Sequence, residues 1–169
     1  NVGIVGFGKI GQAVAHLLEP FGVNVGYHDP FADVPGYTRL ELDDLMGWAD
    51  VITLHCPKTE NGAPLLDLGR LSLMRPGSII LNIARGGLID EKALLGLLTA
   101  GHLAGAALDC FTKEPYDGPL KEMDNVILTP HMAFYSDTAL FDCLRIACQN
   151  LTYYLNGEHD KVNRFVPRE

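Results

Sequence analysis

Val2-Gly3-Ile4-Val5-Gly6-Phe7-Gly8-Lys9-Ile10-Gly11 decides how this chain is read. An apolar run breaks into G-x-G-x-x-G, the pattern of a strand, a tight turn and a helix start that holds a pyrophosphate. Gly6 would make the turn, Gly8 would let the backbone approach the phosphates, and Gly11 would let the helix pack closely on the strand. The anion would then rest on unpaired backbone N–H groups at the positive end of a helix dipole. Downstream, Ile10, Ala13, Val14, Leu17 and Leu18 recur at helical spacing, and Pro20 and Gly22 close the segment. A second apolar stretch, Val23 to Tyr27, leads to Asp29, 18 residues past Gly11. That is close to the spacing of the acid that accepts hydrogen bonds from an adenosine ribose. A carboxylate there would repel a 2′-phosphate, which favours NAD over NADP.

The 169 residues suffice for one domain with a proper core, and 47% of them are hydrophobic. The formal net charge is −8 and no Lys/Arg cluster occurs, so nucleic acid and anionic membrane surfaces are not expected partners. No run approaches the roughly 18 apolar residues of a membrane span, and no basic-then-apolar leader opens the chain. Cys56, Cys110, Cys143 and Cys148 form no C-x-x-C pair. They read as reduced, mostly buried small hydrophobes in a cytoplasmic protein. The six histidines are scattered without ligand spacing, so no metal site is expected.

Strand-like and helix-like segments alternate along the chain. Val51 to Cys56, Ser78 to Ile83, Leu103 to Asp109 and Asn125 to Leu128 read as further strands. Leu40 to Met46, Leu66 to Met74, Asp90 to Thr99 and Ser136 to Leu155 read as helices, with Asp90 and Ser136 as N-caps. Loops are expected over Phe31 to Tyr37, Pro57 to Pro64 and Thr112 to Met123, and an irregular tail over 158–169. Such alternation argues an α/β, Rossmann-type doubly wound parallel sheet with three αβα layers.

Ligands of such sheets lie beyond the carboxyl ends of the strands, and polar residues gather there: Asp29, His55-Cys56-Pro57, Asn82 to Arg85, Asp109 to Glu114 and Pro130-His131. Arg85 follows a buried strand and precedes two glycines. A guanidinium buried there would need an anion, which a substrate carboxylate or carbonyl gripped in bidentate fashion would supply. Glu114 and His131, after adjacent strands, can form a carboxylate–imidazole pair that fixes the tautomer of a general acid/base.

From Gly6 to His131 the chain resembles the D-isomer-specific 2-hydroxyacid dehydrogenases, in their nucleotide-binding domain. Matching motifs are Gly6-Phe7-Gly8-Lys9-Ile10-Gly11, Tyr27-His28-Asp29-Pro30, His55-Cys56-Pro57, Asn82-Ile83-Ala84-Arg85-Gly86-Gly87, Leu108-Asp109-Cys110-Phe111-Thr112-Lys113-Glu114-Pro115 and Thr129-Pro130-His131, in the family's order and spacing. The resemblance implies that 1–169 is an NAD-binding domain and that the reaction is reversible hydride transfer between NAD(H) and a small 2-hydroxy or 2-oxo acid. It implies that Arg85 holds the substrate's 2-oxo-carboxylate, that His131 exchanges the proton with the carbonyl oxygen, and that Glu114 pairs with His131. For the cofactor it implies backbone contact to the pyrophosphate at Lys9 and Ile10, ribose contact at Asp29, carboxamide contact at Asp109, and a groove lined by Cys56, Pro57, Ile83, Ala84 and Arg85. It also implies a homodimer joined through this domain.

Two departures stand out. Lys58-Thr59-Glu60-Asn61 follows Cys56-Pro57 where the family usually has Leu before the Thr. The family's N-terminal substrate domain is absent from this chain, so the expectation is NAD binding with little turnover. A second reading is a non-catalytic, NAD-sensing corepressor-type module of the same family. Phe134-Tyr135-Ser136 is reminiscent of both that branch and the D-lactate dehydrogenase branch, while the complete Arg85, Glu114 and His131 set favours catalysis.

Overall fold

The computed structural model describes residues 1–163. Seven strands form one sheet: β1 (Val2–Val5), β2 (Val25–His28), β3 (Thr38–Arg39), β4 (Val51–Leu54), β5 (Ile79–Asn82), β6 (Gly105–Leu108) and β7 (Val126–Leu128). Their order is β3-β2-β1-β4-β5-β6-β7, and every neighbouring pair is parallel. The first crossovers run one way from β1 and the later ones the other way. The topological switch point therefore falls between β1 and β4, beside the glycine turn.

The helices are α1 (Lys9–Leu18), α2 (Leu42–Trp48), α3 (Leu68–Leu73), α4 (Glu91–Thr99) and α5 (Asp137–Leu155). Two cores hold the sheet between helices. Ile4, Phe7, Ala15 and Tyr27 pack between β1, β2 and α1. Val5, Leu45, Ile52, Leu54, Leu71, Ile80 and Leu94 belong to the larger core shared with α2, α3 and α4. Ile4 and Val5 thus point to opposite sides of one strand, which is why these strands are apolar throughout rather than alternating.

The chain sorts into two compact units, one of Asn1–His131 and one from Met132 onward. In the second, Ser136 caps α5 by accepting from the Ala139 N–H at 3.1 Å. Glu158 to Asn163 form turns and bends, and the rest of the expected tail, 164–169, lies outside the described residues.

Several expectations need correction. Thr38–Arg39 is a short edge strand, too brief to show periodicity. Helix α3 starts at Leu68 rather than Leu66, because Asp67 caps it by accepting from the Arg70 N–H and Leu66 bridges to Ile89. The loop over Thr112 to Met123 contains a 3-10 turn at Pro119–Glu122. The cysteines are all free, but only Cys110 is buried and Cys56 half-buried; Cys143 and Cys148 are exposed. Both lie on α5, which has no buried residue, so their apolar neighbours in sequence do not enclose them.

Candidate active site

The glycine turn forms as its sequence requires. Gly6 has φ +92°, a left-handed conformation, and a Cβ there would meet the His55 carbonyl at 2.6 Å. A Cβ on Gly11 would lie 2.2 Å from the Gly6 carbonyl oxygen, so α1 approaches the turn as closely as backbone allows. A Cβ on Gly8 would meet nothing within 4 Å. Open space therefore stands over that backbone, at the N-cap of α1. The first helical hydrogen bond runs from the Gln12 N–H to the Gly8 carbonyl, which leaves the N–H groups of Lys9, Ile10 and Gly11 ahead of it for an anion.

Asp29 is buried at the end of β2, with 7% of its surface exposed. One carboxylate oxygen accepts from the Phe7 N–H at 2.7 Å. The other accepts from the Phe31 and Ala32 N–H groups at 2.8 and 3.0 Å. The carboxylate thus ties the glycine turn to the following loop and sets negative charge beside it. Cys56, on the far side of the switch point, feels that charge. Burial, with Asp29 adding to it, pushes the Cys56 thiol up to about 11, so it stays protonated at neutral pH.

Beyond β5, Asn82 shapes the loop that carries Arg85. Its amide donates to the Arg85 carbonyl at 2.9 Å and its oxygen accepts from the Ala84 N–H at 3.1 Å. The Arg85 side chain is exposed, not buried as its place after a strand suggests; its Nη1 donates to the Ala84 carbonyl at 2.7 Å. The strand ends at Asn82, so the Arg85 side chain reaches solvent rather than the core. Gly86 locks this loop to the next one, since a Cβ there would lie 1.7 Å from the Phe111 carbonyl oxygen.

The segment after β6 carries the other two groups. Asp109 is buried and accepts from the Thr129 hydroxyl at 2.6 Å. Glu114 accepts from the Phe111 N–H at 3.0 Å and faces His131, whose Nδ1 lies 2.9 Å from one carboxylate oxygen and 3.1 Å from the other. An ionised carboxylate can only accept, so Nδ1 carries the proton and Nε2 is left to face a substrate. The hydrogen bonds from His131 first and the Phe111 N–H second hold the Glu114 carboxyl below the usual carboxylate value. His131 has φ +53°, the only positive φ at a non-glycine residue among those described. An unfavourable backbone at a side chain aimed into a cleft is common at functional sites. A cavity of about 320 Å³ opens beside the pair, against Phe111, Tyr116, Leu128 and Pro130.

Between these loops sits Cys110. Its thiol, raised chiefly by burial, is raised further by Asp109 and Glu114 and lowered by Arg85, so one buried atom senses all three charged groups. The fold therefore brings Arg85, Asp109, Glu114 and His131 to one end of β5, β6 and β7, while Gly8, Asp29 and Cys56 gather at the ends of β1, β2 and β4.

The supporting contacts of three residues were not apparent from sequence. Glu91, on α4, accepts from the Thr112 N–H at 2.7 Å and holds the loop bearing Glu114. Thr129 orients Asp109, and Asn82 folds the Arg85 loop. Their only sequence signal was position beside a strand end or helix start. Cys110, Glu114 and His131 also place one donor atom each within 4.8 Å of one another, a grouping that local ligand spacing does not encode.

A parallel sheet with an open glycine turn at its switch point and a buried acid after β2 is the arrangement of a dinucleotide-binding domain. Residues 1–133 match the family model of the D-isomer specific 2-hydroxyacid dehydrogenase, NAD binding domain, and the chain belongs to that family. It is 46% identical over 138 residues to a D-3-phosphoglycerate dehydrogenase of Mycobacterium tuberculosis, a match covering 78% of this chain and 26% of the relative. A solved Thermus thermophilus protein, TT0316, is 40% identical with TM-score 0.86, covering 92% of this chain and 50% of the other. The solved D-2-hydroxyisocaproate dehydrogenase is 35% identical with TM-score 0.87, covering 93% of this chain and 53% of the other. The chain thus spans about a quarter of its curated relatives and half of the solved ones. No helix of the described residues is long and apolar enough to cross a membrane.

Proposed function

We propose that this chain binds NAD(H) along the carboxyl ends of its strands and carries the acid–base set of an oxidoreductase acting on a small 2-hydroxy or 2-oxo acid. The observation that carries the reading is the Glu114–His131 pair, beside an exposed arginine and across the sheet from an open glycine turn. The first turn of α1, through Lys9 and Ile10, takes the pyrophosphate on backbone N–H groups. Asp29 accepts the adenosine ribose hydroxyls and disfavours a 2′-phosphate, so the cofactor is NAD rather than NADP. Cys56, Pro57, Ile83 and Ala84 line the groove, and Asp109 meets the nicotinamide carboxamide.

When bound, NAD(H) supplies or takes the hydride. Arg85 holds the substrate carboxylate in its guanidinium fork, which fixes the 2-carbon for transfer. His131 gives its Nε2 proton to the forming alkoxide in reduction and removes it in oxidation, while Glu114 steadies the imidazolium. The intact set of three favours catalysis over a purely NAD-sensing corepressor role. We also place the protein in the cytoplasm as a homodimer, a reading that four free thiols and the exposed apolar side chains Leu17 and Phe21 support.

The test is turnover of the complete protein with NADH against pyruvate, glyoxylate, hydroxypyruvate and 3-phosphohydroxypyruvate. One of these is reduced, and His131→Ala lowers kcat by about 10²–10⁴-fold. Wild-type inactivity on every 2-oxo acid, or unchanged kcat in the variant, overturns the reading.

A further inference from the structure

The donor atoms of Cys110, Glu114 and His131 lie within 4.8 Å of one another, and they come from two loops that Gly86 and Thr129 already fix in place. One thiol, one carboxylate and one imidazole are the donor types that suit zinc, and three protein donors leave a fourth position open. Ligand atoms in a tetrahedral zinc site stand about 3.3–3.7 Å apart, as bonds of roughly 2.0–2.3 Å require. The Glu114 carboxylate and His131 Nδ1 are already at 2.9 Å. Cys110 is held less firmly, through a long 3.6 Å contact from Sγ to the Ala84 carbonyl. Glu114 and His131 are 38% and 43% exposed, so both side chains can move by the ångström that closes the site, and an ion can enter from solvent.

We infer that Cys110, Glu114 and His131 form an inhibitory zinc site laid over the acid–base pair. Binding exchanges the thiol proton for the metal: Zn²⁺ takes the Cys110 sulfur as thiolate and one proton passes to solvent, while the His131 Nδ1 proton moves to Nε2 so that the Nδ1 lone pair meets the ion and the imidazole stays neutral. The carboxylate and imidazole that bond each other in the metal-free chain become ligands, so metal and acid–base function compete for the same groups. The competition rests on the proposed activity; the binding itself does not.

The experiment uses cobalt(II) and zinc on the chain carrying Cys143→Ser and Cys148→Ser, which removes the exposed thiols of α5. Cobalt(II) is expected to give a thiolate-to-metal charge-transfer band together with tetrahedral d–d bands, at one equivalent. Zinc, titrated against a chromophoric chelator, displaces it stoichiometrically. Adding Cys110→Ala abolishes the charge-transfer band and weakens zinc binding at least 30-fold, while Cys56→Ser changes neither. Glu114→Gln, an exposed substitution, weakens zinc at least 10-fold and carries the test if circular dichroism shows the Cys110 variant unfolded. Absence of a one-equivalent site in the parent, or undiminished zinc affinity in the folded Cys110 variant or in Glu114→Gln, overturns the inference. These readouts need no turnover, so they fail or hold separately from the dehydrogenase reading. Should 2-oxo acid reduction be found, one equivalent of zinc suppresses it in the parent and not in Cys110→Ala.

Discussion

Replacing Gly8 by Ala separates folding from cofactor binding. A Cβ on Gly8 would touch no protein atom within 4 Å, so the only folding cost is the poorer N-cap, about 0.5–1 kcal/mol. The same Cβ would occupy the space where a pyrophosphate must approach the first turn of α1. Charge-assisted hydrogen bonds are worth about 1.5–3 kcal/mol each. Losing two costs about 3–6 kcal/mol, or roughly 10²–10⁴-fold in NADH affinity. Gly11→Ala is the contrast, because its Cβ would sit 2.2 Å from the Gly6 carbonyl oxygen. Neither partner is a flexible side chain, so overpacking costs about 1–3 kcal/mol or more. For a chain of this size that lowers Tm by about 2–4 °C per kcal/mol. The assay pairs NADH fluorescence titration with thermal melting. Gly8→Ala should melt within about 1–4 °C of the wild type and bind at least 100-fold more weakly; Gly11→Ala should lose on both. Wild-type NADH affinity in Gly8→Ala would refute the reasoning.

Other expectations follow from the same contacts. Asp29→Ala removes the acceptor of the Phe7, Phe31 and Ala32 N–H groups; it should cost about 1–3 kcal/mol in denaturant unfolding and relax the preference for NADH over NADPH in binding. Glu114 titrates below the ordinary 4.5 because His131 and the Phe111 N–H bond its charged form. What that contact contributes to stability is full above 4.5 and is lost as pH falls through the lower folded value, so carboxyl NMR should place the Glu114 midpoint under 4.5, and a midpoint at or above it counts against the pair. In thiol labelling at neutral pH, Cys143 and Cys148 should react first. Cys56, with its thiol near 11, and buried Cys110 should react at least tenfold more slowly.

Much of the fold could be read in advance, because parallel strands and capped helices write themselves locally: Gly6, Asp90 and Ser136 adopt the turn and cap roles their positions suggest. The placement of Asp29, Arg85, Asp109, Glu114 and His131 at strand ends was equally legible, since parallel strands bring their carboxyl ends to one edge by topology alone. What escaped notice depends on distant segments meeting. Cys110 touches the Ala84 carbonyl, Glu91 reaches Thr112 and Thr129 reaches Asp109, and no local period encodes such encounters. Arg85 misled in the opposite sense: it follows directly on a buried strand, yet the strand stops at Asn82 and the side chain is exposed. Cys143 and Cys148 sit among apolar residues on a helix with no buried face, so periodicity there says nothing of burial.

In the proposed binding mode one slot joins the glycine turn to the histidine pair. Amide NMR of the chain titrated with NADH tests it directly. Saturable shifts should appear at Gly8 to Gly11, Asp29, Cys56, Ile83 to Arg85 and Asp109 together, with His131 shifting at the same midpoint. Shifts confined to the glycine turn with His131 and Arg85 unmoved, or no saturable binding at all, would contradict it.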